Sequence, residues 1–372
     1  MGDVAGTAGP LNLPAFPWDS LVPYRERAHA HPDGLVDLSV GTPVDPTPQV
    51  AREALAAAAD APGYPTTQGT AAVRAAAAGW LRRRFGIGTV DPDGGVLPSI
   101  GSKELVAWLP TLLGLGAGDV VVHPELAYPT YDIGARLAGA RPVAADSSVA
   151  LGPERPALVW LNSPANPHGA VLPAEHLAKM VAWARERGAI VAADECYLEF
   201  CWEAEPVSVL DPAVNGGSLD GILAVHSLSK RSNLAGYRAG FVAGDPVLLD
   251  KLLQVRRHAG MMMPAPVQAA MAAALDDDRH VDEQRERYLR RRTTLHAALT
   301  SAGFRIDHSA GSLYLWASRD EPCWDTVGWL ADRGILVAPG EYYGPPGRSH
   351  VRVALTATDD QITAAAERLR GV

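Results

Sequence analysis

A lysine flanked by small hydroxyls, with an arginine further along the same loop, suits a carbonyl and a phosphate at once. The stretch Ser227-Leu228-Ser229-Lys230-Arg231-Ser232-Asn233-Leu234-Ala235-Gly236-Tyr237-Arg238 has that form. It follows the apolar run Ile222-Leu223-Ala224-Val225, so Lys230 is expected to leave the end of a buried strand. Near the interior a lysine loses its proton more readily than in water, and the neutral amine attacks a carbonyl to form a Schiff base. Ser227, Ser229 and Arg238 suit a phosphate, although a solvated basic loop explains the same letters.

Four further stretches carry chemistry. Asp194-Glu195-Cys196-Tyr197 comes directly after Ala189-Ile190-Val191-Ala192-Ala193. A carboxylate at that depth needs a cationic partner, and a protonated pyridine nitrogen is one. Tyr197 is expected to turn its hydroxyl into the same cavity, unless the two serve a structural network. Asn162-Ser163-Pro164-Ala165-Asn166-Pro167-His168-Gly169 places two amides beside prolines, rigid enough to donate to a phenolate or carboxylate oxygen. Gly101-Ser102-Lys103-Glu104 opens a helix after a strand, where free N–H groups and the helix dipole favour an anion. An ordinary N-cap at Ser102 is the plainer alternative. In Tyr128-Pro129-Thr130-Tyr131 an aromatic can stack on a flat ring, or fill a domain edge.

These loops need a scaffold that brings them together. From Val96 onward short apolar strands, starting at Val96, Val120, Ala157, Ala189, Ile222 and Gly240, alternate with helices over Lys103 to Leu115, Pro129 to Ala138 and Pro173 to Arg187. Such alternation predicts an α/β fold with a mostly parallel sheet covered on both faces and ligand groups at the strand carboxyl ends. After Asp245 the pattern turns helical, and strands near 304–306, 313–316, 335–337 and 350–355 predict a smaller α+β domain. The expected organisation is an arm over 1–45 packing with the small domain, a large domain over 46–250 and a small domain over 251–372. In the arm, Phe16 and Trp18 are costly to leave exposed. Thr47, before Pro48, reads as a helix N-cap. Arg285, Arg287, Arg290, Arg291 and Arg292 read as the solvated face of a long helix, and Arg231 as a plain surface residue.

Bulk properties exclude other classes. The net charge of -9 comes without a long basic block, which argues against a nucleic-acid surface. The three cysteines, Cys196, Cys201 and Cys323, indicate neither a disulfide framework nor a metal site. No basic segment leads into an apolar run at the N-terminus, and no stretch is apolar over the length of a bilayer. A cytoplasmic protein with no membrane partner is expected.

Taken in order, Tyr64, Gly101-Ser102-Lys103-Glu104, Tyr128-Pro129-Thr130-Tyr131, Asn166-Pro167-His168-Gly169, Asp194 with Tyr197, Ser227-Leu228-Ser229-Lys230 with Arg238, and Arg352 resemble the fold type I pyridoxal-phosphate enzymes, the class I/II aminotransferases. The resemblance implies pyridoxal 5'-phosphate as cofactor and Lys230 as the Schiff-base lysine that shuttles a proton. It implies Asp194 as the partner of the ring nitrogen, and Asn166 and Tyr197 as donors to the ring oxygen. Tyr128 becomes the stacking aromatic, and Ser102, the backbone of Lys103, Ser227, Ser229 and Arg238 the phosphate cradle. Arg352 is then the fork for a substrate α-carboxylate, assisted by the backbone at Gly41 and by Asn166. Tyr64 is implied to reach the neighbouring subunit's phosphate in a homodimer. His168 departs from the family's usual threonine.

Overall phrasing, as in His123-Pro124-Glu125-Leu126-Ala127-Tyr128, is similar to the actinobacterial N-succinyldiaminopimelate aminotransferases of lysine biosynthesis. An aminotransferase for aspartate, aromatic or unsuccinylated diaminopimelate substrates, or a carbon-sulfur β-lyase, shares the same loops. A regulator on this scaffold is expected to carry an added DNA-binding module, for which the stretch before Gly41 leaves no room. Arg25, Arg27 and Met261-Met262-Met263 are candidates for a distal carboxylate, each with a structural alternative.

Overall fold

A computed structural model describes residues 13, 14 and 16–370; residues 1–12, 15, 371 and 372 lie outside the described residues. The large sheet has seven strands. From edge to edge they are Val96–Ile100, Ala239–Gly244, Ile222–Ser227, Ile190–Asp194, Leu158–Asn162, Val120–His123 and Arg141–Ala144. All but Ala239–Gly244 run the same way; that strand is antiparallel to both of its neighbours. The central strands are apolar on both faces because helices cover both, as a parallel sheet requires. The six predicted strands all form, five of them running one or two residues further at the carboxyl end, so that Asn162, Asp194 and Ser227 are terminal strand residues. Arg141–Ala144 escapes the pattern reading because, as a part-exposed edge strand with Pro142 inside it, it lacks an apolar run.

Alanine-rich helices flank the sheet. Thr70 caps Ala71–Phe85 by accepting from Val73 N at 3.3 Å, and Gly86, at φ +70°, ends it. Thr47 does not cap the preceding helix. That helix spans Gln49–Ala57 behind an extended Pro48, and the Thr47 hydroxyl donates to Asn233 O at 3.4 Å.

Beyond the large sheet, Ala338–Pro339, His350–Ala354, Tyr314–Ser318 and Arg305–Asp307 form, in that order, an antiparallel sheet. Val36–Asp37 pairs in parallel with Ile335–Leu336, and Leu21, Val36 and Leu38 bury in the same cluster as Leu313, Leu330 and Val353. Trp18 packs edge-on to Tyr342, but Phe16 stays 59% exposed, against the expectation that both would be covered. Arg25 pairs with Asp37 at 2.8 Å, Arg27 pairs with Asp332, and Met263 is core, so these candidates serve the scaffold. Among the described residues no helix is long and apolar enough to cross a membrane.

The long helix Arg279–Ser301 corrects the reading of its arginines. Arg290 is exposed, but Arg291 is buried. Its guanidinium donates to Asp45 Oδ1 and Oδ2 at 2.7 and 2.8 Å and to Asp359 at 2.6 Å. A buried cation of this kind is tolerated only because partners distant in sequence neutralise it. Burial alone raises the Asp45 carboxyl, but hydrogen bonds from Arg291 and Gln284 outweigh that and hold it below its ordinary value. A carboxyl lowered on folding stabilises above its unfolded value, near about pH 4, and that stability is lost as pH falls through the lower folded value. Asp45→Asn is therefore expected to cost roughly 2 kcal/mol at pH 7, less than for a lone buried pair because Asp359 still faces Arg291. Urea unfolding of the variant should show the deficit shrinking below about pH 4.

Candidate active site

The functional loops meet because their strands end together. Asn162 lies in register with Asp194, and Asp194 with Val225. Ser99 and Ser227 both lie opposite Gly240. The antiparallel strand starts at that same end of the sheet, which delivers Arg238, the residue just before it, to the carboxyl ends of its neighbours.

Two of these strand ends and Arg238 build an anion cradle. Gly101 has φ +78°, and a Cβ there would run into the Arg238 guanidinium, so only glycine lets the arginine lie against the start of the helix Ser102–Leu112. Arg238 itself adopts left-handed backbone, φ +56°, and donates to Ala235 O at 2.9 Å. Ser227 Oγ accepts from Ser229 N at 3.2 Å, which leaves its O–H free to donate. The Lys103 side chain is exposed; its backbone N–H lies in the first turn of the helix. Gly101→Ala combines that collision with an unfavourable φ. It should weaken pyridoxal 5'-phosphate binding about tenfold or more, as read by equilibrium dialysis.

Asp194 is buried and accepts from the Tyr131 hydroxyl at 2.8 Å and from Cys196 N at 3.2 Å. Burial raises its carboxyl above the ordinary value, against the opposing pull of the Cys196 and Tyr131 hydrogen bonds. Neutral donors leave this carboxylate short of a compensating cation, and a protonated ring nitrogen matches that need. Tyr131 stacks on Trp160 at 5.0 Å, which fixes its hydroxyl. Half-buried Tyr128 lies edge-on to it at 5.9 Å, its phenol pushed up to about 12 by burial.

On the next strand end the two asparagines divide the labour. Asn162 works structurally: its Nδ2 donates to Asp194 O at 2.9 Å and its Oδ1 accepts from Asn166 N at 2.8 Å. Asn166 Oδ1 accepts from Arg352 Nη1 at 2.8 Å, which leaves Asn166 Nδ2 as the free donor. Arg352 Nη2 donates to Ser39 O at 2.7 Å, while its Nε is buried without a partner. Its guanidinium lies 4.0 Å above the Tyr314 ring centroid. The Tyr197 hydroxyl meets that of Tyr314 at 2.9 Å. Lys230 donates to Gly41 O, and burial lowers its ammonium from the ordinary value. Lys230, Gly41, Arg352, Asn166, Tyr197 and Tyr314 thus form one contact chain. Tyr64 does not join it; it stands 98% exposed.

Several participants were invisible in the local pattern. Tyr131 carried a signal, one helical turn after Tyr128. Tyr314 and Ser39 carried none, since their contacts cross more than 100 residues. Arg231 is not the surface residue expected. It is buried behind Lys230, pairing with Glu199 at 3.3 Å and facing the Trp80 ring at 5.4 Å. In the same cluster burial pushes the Glu195 carboxyl up to about 8 and the His226 imidazole down to about 3.

A glycine-backed anion cradle, a buried carboxylate lacking a cation and a desolvated amine fit the phosphate, the ring nitrogen and the aldehyde of pyridoxal 5'-phosphate. Residues 33–369 match the family model "Aminotransferase class I and II". The chain is 63% identical to the 4-dedimethylamino-4-oxo-anhydrotetracycline transaminase OxyQ of Streptomyces rimosus, covering 96% of this chain and 99% of that one. It is equally 63% identical to the probable aminotransferase Rv1178 of Mycobacterium tuberculosis, over 96% and 85% of the two chains. A solved structure, the probable N-succinyldiaminopimelate aminotransferase of Thermus thermophilus, superposes with a TM-score of 0.85 at 29% identity, over 95% of this chain and 99% of that one. The match of the family model over nearly the whole chain agrees with the site geometry: this protein belongs to the class I and II aminotransferases and is a pyridoxal 5'-phosphate-dependent enzyme.

Proposed function

We propose that this aminotransferase moves an amino group between glutamate and N-succinyl-2-amino-6-oxopimelate, alternating between the two half-reactions on a homodimer. The observation that carries the α-amino-acid part is Arg352, a buried guanidinium already aimed by Asn166 and Ser39, with a free Nε. Such a fork grips a carboxylate bidentately. The resemblance to succinyldiaminopimelate enzymes in phrasing, and the likeness to the Thermus protein of that printed name, support the acceptor.

The bound cofactor supplies an electron sink for the charge left when the substrate Cα–H breaks. Lys230 takes up that proton and returns it. Asp194 keeps the ring nitrogen protonated, and Asn166 Nδ2 and Tyr197 donate to the ring oxygen. Tyr128 covers one ring face, while Gly101 to Lys103, Ser227, Ser229 and Arg238 hold the phosphate. The full exposure of Tyr64 supports its reaching a second copy's phosphate.

The 63% identity to OxyQ favours a second reading, in which the acceptor is a polycyclic ketone. Both readings use the same donor half-reaction, so Arg352 does not separate them. A panel of keto acceptors with glutamate as donor does. Transfer to the succinylated oxopimelate supports the first reading, and transfer only to an oxo-anhydrotetracycline, or only to the aspartate, aromatic or unsuccinylated diaminopimelate keto acids, sinks it. Pyruvate released without any acceptor marks a β-lyase. In every aminotransferase reading Arg352→Lys should raise the donor KM by about 100-fold, since an ammonium cannot reproduce the fork.

A further inference from the structure

We propose that Tyr314 is a positioning residue that ties the carboxylate-gripping Arg352 to the hydroxyl of Tyr197. Tyr314 opens the small-sheet strand Tyr314–Ser318, which pairs with the strand carrying Arg352, and its side chain is buried. Its ring lies edge-on to Tyr197, with centroids 5.7 Å apart, and its face backs the Arg352 guanidinium. Gly41 makes room for it, because a Cβ at that position would strike the Tyr314 hydroxyl and ring. One side chain thus touches Gly41 near the N-terminus, Tyr197 beyond a strand of the large sheet and Arg352 in the small sheet.

Its hydroxyl is the informative part. A phenylalanine fills nearly the same volume and backs Arg352 equally well, yet this position carries an O–H whose hydrogen-bond partner is Tyr197. The inference rests on Tyr197 donating to the cofactor's ring oxygen. With its own proton so committed, Tyr197 can only accept from its neighbour, so Tyr314 is the donor of the pair. Donation into the Tyr197 oxygen polarises the Tyr197 O–H and strengthens its bond to the ring oxygen. That stabilises the ionised ring oxygen and lowers the pH at which the visible chromophore of the loaded enzyme titrates. Besides Tyr314, the charged or titratable groups near Tyr197 include Arg352 and Cys196, and those near Tyr314 include Lys230, Tyr128, Tyr343 and Tyr288. None of these changes in Tyr314→Phe, so a shift in that variant isolates the hydroxyl.

The test is a pH titration of the visible band of the cofactor-loaded enzyme, with donor KM measured alongside. Tyr314→Phe should raise the titration midpoint by about one unit and leave KM within about twofold. Tyr314→Leu, which also removes the ring, should raise KM about tenfold as well. Combining Tyr314→Phe with Tyr197→Phe should add nothing to the shift of Tyr197→Phe alone, because Tyr314 acts through that hydroxyl. A shift in Tyr197→Phe with none in Tyr314→Phe overturns the coupling and leaves the Tyr197 assignment standing. No shift in Tyr197→Phe overturns both. Additive shifts in the double variant overturn the route through Tyr197. Matching cofactor content and near-UV circular dichroism across the variants keep a folding defect apart from each of these results.

Discussion

Lys230→Ala is expected to lose more than about 10⁴-fold in turnover and to lose the visible absorption of the loaded enzyme entirely. The side chain sits just beyond the buried strand Ile222–Ser227 with its amine against Gly41 O, and burial favours its neutral, nucleophilic form. No neighbouring amine can replace it. Lys103 is exposed, and the nearby arginines stay protonated at any working pH. Lys230→Arg should therefore be as inactive as the alanine variant, although it keeps the charge. The cradle around Gly101, Ser227 and Arg238 is intact in both variants, so cofactor should still bind, more weakly and without its visible band. Turnover that persists with that band present removes Lys230 from the chemistry.

Asp194→Asn carries the second large effect, a loss of about 10³-fold in kcat. The amide keeps the shape and accepts from Tyr131, but it cannot hold a proton on the ring nitrogen. A test that needs no turnover comes from the cofactor-free protein. Burial raises the Asp194 carboxyl on folding, so the folded chain binds its proton more tightly than the unfolded chain. The sign follows: this group's contribution to stability is complete below the unfolded value and is lost as pH rises through the folded one. At pH 7, well above the unfolded value, burying this carboxyl therefore weighs against the fold. The cofactor-free Asn variant should accordingly melt higher than the parent at pH 7, with the gap closing toward pH 4. Adding pyridoxal 5'-phosphate should reverse the ranking, because only the parent gains the charge pair. An Asn variant that binds cofactor as tightly as the parent and turns over normally rules out the assigned role.

The two residues with the largest expected effects were the easiest to find in the sequence. Asp194 directly follows an unbroken apolar run and Lys230 comes five residues after the end of one, and such a run names both a buried strand and the place where it stops. The same holds for Asn162 after Leu161. The fold class followed from the alternation of these runs with helical segments, and the single misplaced cap, Thr47, shifted one boundary by two residues without moving any functional group. Legibility ended where an interaction joined distant segments. Arg291 and Arg231 looked like surface charge because nothing near them in sequence announces Asp45 or Glu199. Of two similar asparagines, one became a backbone brace and the other a free donor, a division set by Arg352 nearly 190 residues away.

By itself, then, the sequence determined the strand-and-helix order, the chemical groups placed at strand ends and the family. These depend on backbone periodicity and turn chemistry, which act over a few residues. Only the tertiary structure decided which charges are buried, which hydroxyl partners Tyr197 and how Arg352 is aimed. Those outcomes turn on whether a desolvated polar group finds a compensating partner, and here the partner comes from a segment distant in the sequence.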